Sequence, residues 1–258
     1  MPAAFAGLEA QLWLWLLMMV RPGAAFLAAP IFSAAAVPVQ LRLVVALAVG
    51  MAALGATTVT MPEDGLISVA GFLLILGEVL VGLALGFAVQ IGFAAAMLAG
   101  EAIGNTMGLG FAGMVDPANG GSSPALGQFL SVLGTFLFLA IGGHLMLASI
   151  VVDSYRALPP GGAMLSGDAL KSVAMFGGNL FAMGLTIALP VGFSLVLVQL
   201  VMAVLARSAP ALNLFAVGLP AALMAGIVLL AIATPYMAEN IVAALEAGLM
   251  LSRRLAGG

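Results

Sequence analysis

The chain has no cysteine and very few charged residues. Without cysteine there is no disulfide, no thiol nucleophile and no thiolate-bound metal. Only 7% of the 258 residues are charged, whereas about 25% is usual in a soluble domain. So few charges cannot cover a globular surface, which excludes a soluble enzyme and a disordered linker. With seven Lys or Arg against ten Asp or Glu, the chain also lacks a basic surface for nucleic acid.

Apolar residues make up 64% of the chain, and the mean hydropathy of +1.27 places it in a lipid bilayer. Charge-free stretches of about 20 residues are long enough to cross the hydrocarbon core as helices. They predict an all-α, polytopic membrane protein with about six long hydrophobic helices, kinked by proline and packed as hairpins within a larger helical assembly. The predicted spans are 8–33, 40–60, 66–98, 125–152, 172–206 and 211–250.

The stretch 172–206 is too long for a single crossing. As one helix it would measure about 50 Å, whereas the hydrocarbon core is about 30 Å thick. Apolar turns outside the core need cover from other protein, so the length indicates an assembly. Residues 1–258 are predicted to form a single integral membrane domain, with 103–124 as a re-entrant or plug-like loop and 153–171 as a polar connecting loop. Nothing before Arg21 is basic, so the first residues are expected to be mature structure rather than a secretory signal.

Glu78 and Glu101 lie in or beside predicted helices, where a charge costs about 2.5–3.5 kcal/mol on insertion scales. Two interpretations remain open: they bind groups on neighbouring helices, or they form an ion relay in an ion-coupled secondary transporter of a small solute. The single histidine, His144, is interpreted as an interhelical hydrogen-bond donor, because zinc sites need several ligands. A hydrolase using Ser122 and His144 is a weaker alternative, since no GxSxG motif is present. No catalytic, cofactor-binding or metal site is predicted.

Glycine recurs at four-residue spacing in two series, Gly82-x3-Gly86 and Gly100-x3-Gly104-x3-Gly108. This spacing puts small residues on one helical face and lets backbones approach closely. The second series leads into 107–117, where glycines alternate with Met and Phe before an Asp-Pro step. Irregular backbone at membrane depth has to be buried in protein or line an aqueous cavity. The segment is therefore either an ordinary interhelical loop or a deformable seal, because Met fills irregular gaps without a fixed geometry.

The central motifs are Gly100-Glu101-Ala102-Ile103-Gly104, Met107-Gly108-Leu109, Asp116-Pro117 and Gly143-His144-Leu145. Supporting positions on either side are Arg21, Pro30, Phe32, Val37-Pro38, Arg42, Asp153-Ser154, Pro159, Arg207, Pro210, Asn213, Phe215, Gly218 and Pro220. In this order, over about 21–240, they resemble the FliR family of flagellar and type III secretion export-gate proteins, called SctT in injectisomes. Thr106 and Ala211 stand where the family commonly has glutamine.

The resemblance implies a non-enzymatic subunit that joins FliP and FliQ in a closed export gate, contacted by FlhB and transiently by unfolded export substrates. It implies a multi-pass protein of the bacterial inner membrane and flagellar basal body, with the segment matching 107–123 as a plug loop. The residues assigned to that loop are Met107, Gly108, Gly110, Phe111, Gly113, Met114, Asp116 and Pro117. Helix-packing or buried polar roles are assigned to Glu78, Gly100, Glu101, Gly104, His144, Arg207 and Asn213.

Overall fold

The computed structural model describes residues 3–55, 57, 59, 61–62, 65–110, 125–162, 165–208 and 214–257. All regular structure in these residues is helical, which confirms the all-α prediction. A helix satisfies its backbone N–H and C=O groups internally, as a chain in lipid requires. The helices are α1 (Ala3–Ala28), α2 (Val39–Ala53), α3 (Val69–Thr106), α4 (Ala125–Ala140), α5 (Gly143–Ala157), α6 (Gly167–Ser208) and α7 (Leu214–Leu255).

About six spans were predicted. Within the described ranges, four helices are long and apolar enough to cross a membrane, with spans Leu8–Ala28, Val69–Thr106, Gly167–Ser208 and Val217–Leu255. Helices α4 and α5 meet at a 64° bend and count together as a fifth candidate. The predicted second span is α2, whose 15 residues reach only about 22 Å at 1.5 Å per residue. That length falls short of a hydrocarbon core of about 30 Å.

The helix ends also differ from the predictions in three places. Helix α3 continues through Thr106, so the first residues of the predicted loop 103–124 are helical. The connection predicted at 153–171 is shorter, because α5 continues to Ala157 and α6 begins at Gly167. Asp153 and Arg156 stay helical because both face outward and form an exposed ion pair of 3.1 Å on adjacent turns.

The predicted span 125–152 is interrupted rather than continuous. Gly142 has a φ of 71°, in the left-handed region where glycine is readily accommodated, and it ends the run of helical residues between α4 and α5. Two glycines inside a hydrophobic stretch hardly change the local hydropathy, so hydropathy alone does not predict a break there. The one predicted helix is therefore two helices, α4 and α5, with the bend between them.

The described residues form two compact units. The first comprises Met1–Ile91, Phe138–Gly177 and Leu245–Gly258. Within it α1 and α2 form an antiparallel hairpin, because Gly50 lies against the backbone of Met18 while Gly23 faces Ala46. The fully buried large side chains of this unit, which form its core, include Leu17, Met18, Arg21, Phe26, Leu85 and Tyr155.

The second unit comprises Gly92–Leu137 and Gly178–Ala244. The end of α3 and the start of α4 run antiparallel, because Gly100 lies against Leu126 and Gly134 faces Ala96. Helix α6 runs alongside the end of α3 in the same direction, since Gly184 contacts Ala95 and Gln199 reaches Thr106. The buried apolar residues of the second unit include Ile103, Met107, Leu130, Ile187, Val191 and Leu195.

Candidate functional site

A buried ion pair joins α1 to α3 in the first unit. Arg21 Nε donates to Glu78 Oε2 at 2.8 Å, and Arg21 Nη2 donates to Glu78 Oε1 at 2.8 Å. The two side chains are only 1% and 4% exposed. Two parallel N–H···O bonds from a planar guanidinium make the bidentate geometry of a strong arginine–carboxylate pair. Glu78, predicted as a buried polar residue, thus has a specific partner on another helix.

The same guanidinium also holds α5. Arg21 Nη1 donates to Ser154 Oγ at 3.0 Å, and Nη2 donates to the carbonyl oxygen of Leu158 at 2.7 Å. The guanidinium carbon lies 4.0 Å from the centroid of the Tyr155 ring, within cation–π range. The Tyr155 hydroxyl donates to the carbonyl oxygen of Met18 at 2.9 Å, which returns the network to α1. One arginine therefore ties three helices together.

The pair lies beside a pocket of about 440 Å³ whose other lining is mainly apolar. Glu78 accepts two hydrogen bonds from Arg21, so its charge is matched inside the protein. The pairing gives an acidic residue of an apolar helix a counter-charge and a contact with another helix.

The Gly82-x3-Gly86 series faces α1 in the same unit. A Cβ atom added at Gly82 would overlap the carbonyl oxygen of Arg21, and one added at Gly86 would overlap that of Ala25. The α3 backbone therefore comes close enough to α1 to bring Glu78 within bonding distance of Arg21. Glu78, Gly82 and Gly86 follow one another at four-residue spacing, so the ion pair and the close backbone contacts share one face of α3.

The remaining predicted packing residues are scattered. Gly100 lies against the backbone of Leu126, and Glu101 is half-buried with its Cγ 3.2 Å from where a Cβ at Gly127 would be. His144 Nδ1 is buried and has no hydrogen-bond partner in the described part of the chain, and the donor role stays a prediction. Arg207 is exposed in the last turn of α6. The structure does not gather these residues into one site.

The start of the predicted plug segment is defined in detail. Gly108 has a φ of 83°, and its N–H donates to the carbonyl oxygen of Asn105 at 3.1 Å. The Leu109 N–H donates to the carbonyl oxygen of Gly104 at 3.0 Å. These two bonds and the left-handed glycine form a Schellman motif, which ends α3. The Leu109 side chain returns to contact range of Gly104, at 3.7 Å from a Cβ placed there.

Two other helices of the second unit hold this helix end. Met107 is 2% exposed, and a Cβ added at Gly226 of α7 would lie 2.5 Å from Met107 Cε and 2.7 Å from its Cγ and Sδ. From α6, Gln199 Nε2 donates to the carbonyl oxygen of Thr106 at 2.6 Å. Met107 thus fills a notch that exists because residue 226 has no side chain.

Several predicted residues lie outside the described residues, namely Phe111, Gly113, Met114, Asp116, Pro117 and Asn213. Gly110 is the last described position before the gap. In the part of the chain that the structure describes, no three His, Asp or Glu side chains come together as metal ligands would. The described part of the predicted plug is therefore its helical root.

Sequence reasoning assigned no site role to Arg21, Gln199 or Gly226. Arg21 had a usable signal, because an arginine in one apolar helix and a glutamate in another favour pairing. Gly226 had none, since glycine is common in membrane helices, and a single glutamine at position 199 does not identify its partner. Their partners, at positions 106 and 107, lie far away in the sequence.

Comparison with known proteins covers nearly the whole chain. Residues 12–248 match the model of the bacterial export proteins, family 1. The flagellar biosynthetic protein FliR of Escherichia coli K12 is 37% identical over 228 residues, 88% of this chain and 86% of the relative. FliR of Pectobacterium carotovorum is 36% identical over 209 residues, 81% of this chain and 79% of the relative. FliR of Bacillus subtilis is 32% identical over 209 residues, 80% of each chain. This polytopic helical membrane protein therefore belongs to the bacterial export proteins, family 1, the family of the flagellar biosynthetic proteins FliR.

Proposed function

We propose that the chain, a component of flagellar protein export, forms a gate with homologues of FliP and FliQ. The gate passes unfolded flagellar proteins across the bacterial inner membrane, and a homologue of FlhB contacts it. The observation that carries this proposal is the family match over residues 12–248, which includes every helix at least in part. The chain contributes pore structure rather than catalysis, and energy comes from elsewhere, because its sequence has no GxxxxGK[ST] phosphate loop.

The lengths of α6 and α7 support an assembly. Each has 42 residues, so each is about 63 Å long at 1.5 Å per residue, twice the hydrocarbon thickness of about 30 Å. Large apolar side chains are exposed along both, including Phe181, Leu189, Phe193, Val201, Met224, Ile227 and Ile232. Lipid can cover only the part within the bilayer, so neighbouring subunits would cover the rest.

Co-purification from the native membrane tests the assembly. We expect the chain to be recovered tightly with two other small membrane proteins, the FliP and FliQ homologues, in mild detergent. A small-solute transporter would instead be active as the isolated chain. Solute transport by the purified chain alone, with no bound partners, would contradict the gate and favour the transporter.

Segment 107–123 is the plug of this gate in our proposal. A gate has to pass an unfolded chain and still retain ions when idle, so its seal has to deform and close again. Glycines interspersed with Met and Phe suit this task, because Met packs adaptably and glycine allows backbone rotation. A salt-bridged latch would be more rigid.

Deletion of residues 110–122 tests the plug. We expect the reconstituted gate to become permeable to small ions, because the deleted segment would no longer fill the pore. Conductance across a planar bilayer measures this, with a deletion of the exposed Gly161–Gly162 pair as the control loop change. Unchanged conductance in a fully assembled deletion gate would overturn the plug assignment.

A further inference from the structure

We propose that the end of α3 is a fixed anchor for the plug segment. In this anchor, Met107 packs over Gly226 and the Gln199 side chain binds the Thr106 carbonyl of the last helical turn. The contacts themselves depend only on the described residues. Their consequence for sealing rests on the proposed function. The anchor keeps its position while export proceeds.

The backbone at this helix end has its hydrogen bonds satisfied. The last carbonyls of a helix normally lack intrahelical donors. Here those of Ile103, Gly104 and Asn105 accept from the N–H groups of Met107, Leu109 and Gly108. The carbonyl of Thr106 would be the next without a donor, and it accepts from the Gln199 side chain at 2.6 Å. Releasing this turn would break these four hydrogen bonds, which favours a static end.

The contact between Met107 and Gly226 also supports a static end of α3. Met107 is buried, and its thioether fills the space over Gly226 at distances that leave no room for a methyl group. A pocket of about 300 Å³ lies beside the contact, lined by Met107, Gln199 and Ala222 among others. A larger residue at 226 would therefore push Met107 into the neighbouring pocket instead of requiring the helices to separate. The expected effect is a displaced plug root in a folded protein.

Cysteine cross-linking tests whether the anchor stays closed. The chain has no native cysteine, so a pair introduced as Met107→Cys and Gly226→Cys reports on this contact alone. The Cβ position at Gly226 is 2.7 Å from Met107 Cγ. One C–C bond adds at most about 1.5 Å, so the two Cβ atoms lie no farther apart than the roughly 3.5–4.5 Å of a disulfide. Met107→Cys with Gly192→Cys is the control, since a Cβ added at Gly192 meets nothing within 4 Å in the described residues.

We expect the Met107–Gly226 cysteine pair to cross-link under mild oxidation in the assembled gate, and the control pair to remain reduced. Export of a flagellar substrate should stay within about twofold of the reduced gate, because a static anchor has no need to open. Failure to cross-link would show that the contact is absent. A cross-link that stops export would show that the anchor moves, and either result overturns the proposal.

A volume exchange tests the link to sealing. Gly226→Val should raise the ion conductance of the idle gate at least severalfold, and adding Met107→Ala should restore it to within about twofold by making room for the valine. Gly192→Val is the control and should leave conductance unchanged. If the 110–122 deletion leaks but Gly226→Val does not, the anchor is overturned while the plug stands. If the gate with the deletion does not leak, the plug assignment is wrong. The cross-link then still decides whether the anchor exists.

Discussion

Replacing Glu78 with alanine is expected to lower the free energy of unfolding by about 3–5 kcal/mol, because the substitution leaves the Arg21 charge buried without its counter-charge. The Arg21 side chain is 1% exposed, so water cannot take the place of the carboxylate without opening the contact between α1 and α3. The level of the chain in native membranes and the thermal unfolding of the purified gate measure the effect. We expect little of the variant to accumulate.

Two further variants separate the ion pair from a general need for charge. Glu239→Ala removes an exposed glutamate of α7 and should change stability by less than about 0.5 kcal/mol. The double variant Arg21→Met with Glu78→Leu removes both charges and keeps apolar volume, so part of the stability should return. The hydrogen bonds of Arg21 to Ser154 and Leu158 stay lost in it. Normal levels of the Glu78→Ala single variant would mean that the pair does not hold the helices. A double variant as unstable as Glu78→Ala would show that the unpaired buried charge is not the source of the loss.

Replacing Gly86 with valine is the second large change that we expect. The new Cβ would overlap the carbonyl oxygen of Ala25, a backbone atom that cannot rotate away. Overpacking of this kind costs about 1–3 kcal/mol, and more when backbone has to shift. The displacement would also separate Arg21 from Glu78, two turns away on the same face of α3. Thermal unfolding of the purified gate measures the loss.

Gly77 provides a matched control for that substitution. It lies in the same helix, and a Cβ added there meets nothing within 4 Å in the described residues. Gly77→Val carries the same change in helix propensity, so the difference between the two variants isolates the contact between α1 and α3. Equal stabilities for Gly77→Val and Gly86→Val would show that no close backbone approach exists at Gly86.

Hydropathy located the long helices well, because twenty or more apolar residues in a row leave few structural choices. It failed where geometry rather than polarity decides the outcome. Helix α2 is apolar but short, and the bend at Gly142 lies inside a stretch with no charged residue. Asp153 and Arg156 signalled a loop, yet both remain helical with their side chains facing outward. A polar residue on an exposed helical face and one in a loop look the same in composition.

The contacts around the two sites were harder to foresee. The glycine spacing of Gly82 and Gly86 predicted close packing, but not that α1 would be the helix packed against them. Glu78 was identified from its high cost in an apolar helix, whereas its partner Arg21 was noted only as part of a resemblance. Gln199 contacts a backbone carbonyl, which every residue has, so no feature of its partner's sequence could reveal the contact. Pairing across long sequence separations depends on the packed arrangement of helices.

Glu78 follows Arg21 by 57 positions, which also sets an order of events during synthesis. At roughly 5–20 residues per second, Glu78 is added about 3–11 seconds after Arg21. During that interval the arginine lacks the Glu78 carboxylate, and entry into lipid would cost about 2.5–3.5 kcal/mol on insertion scales. Helix α1 therefore gains its full tolerance for the bilayer only when α3 arrives, and the two enter the membrane most favourably as one inserted unit.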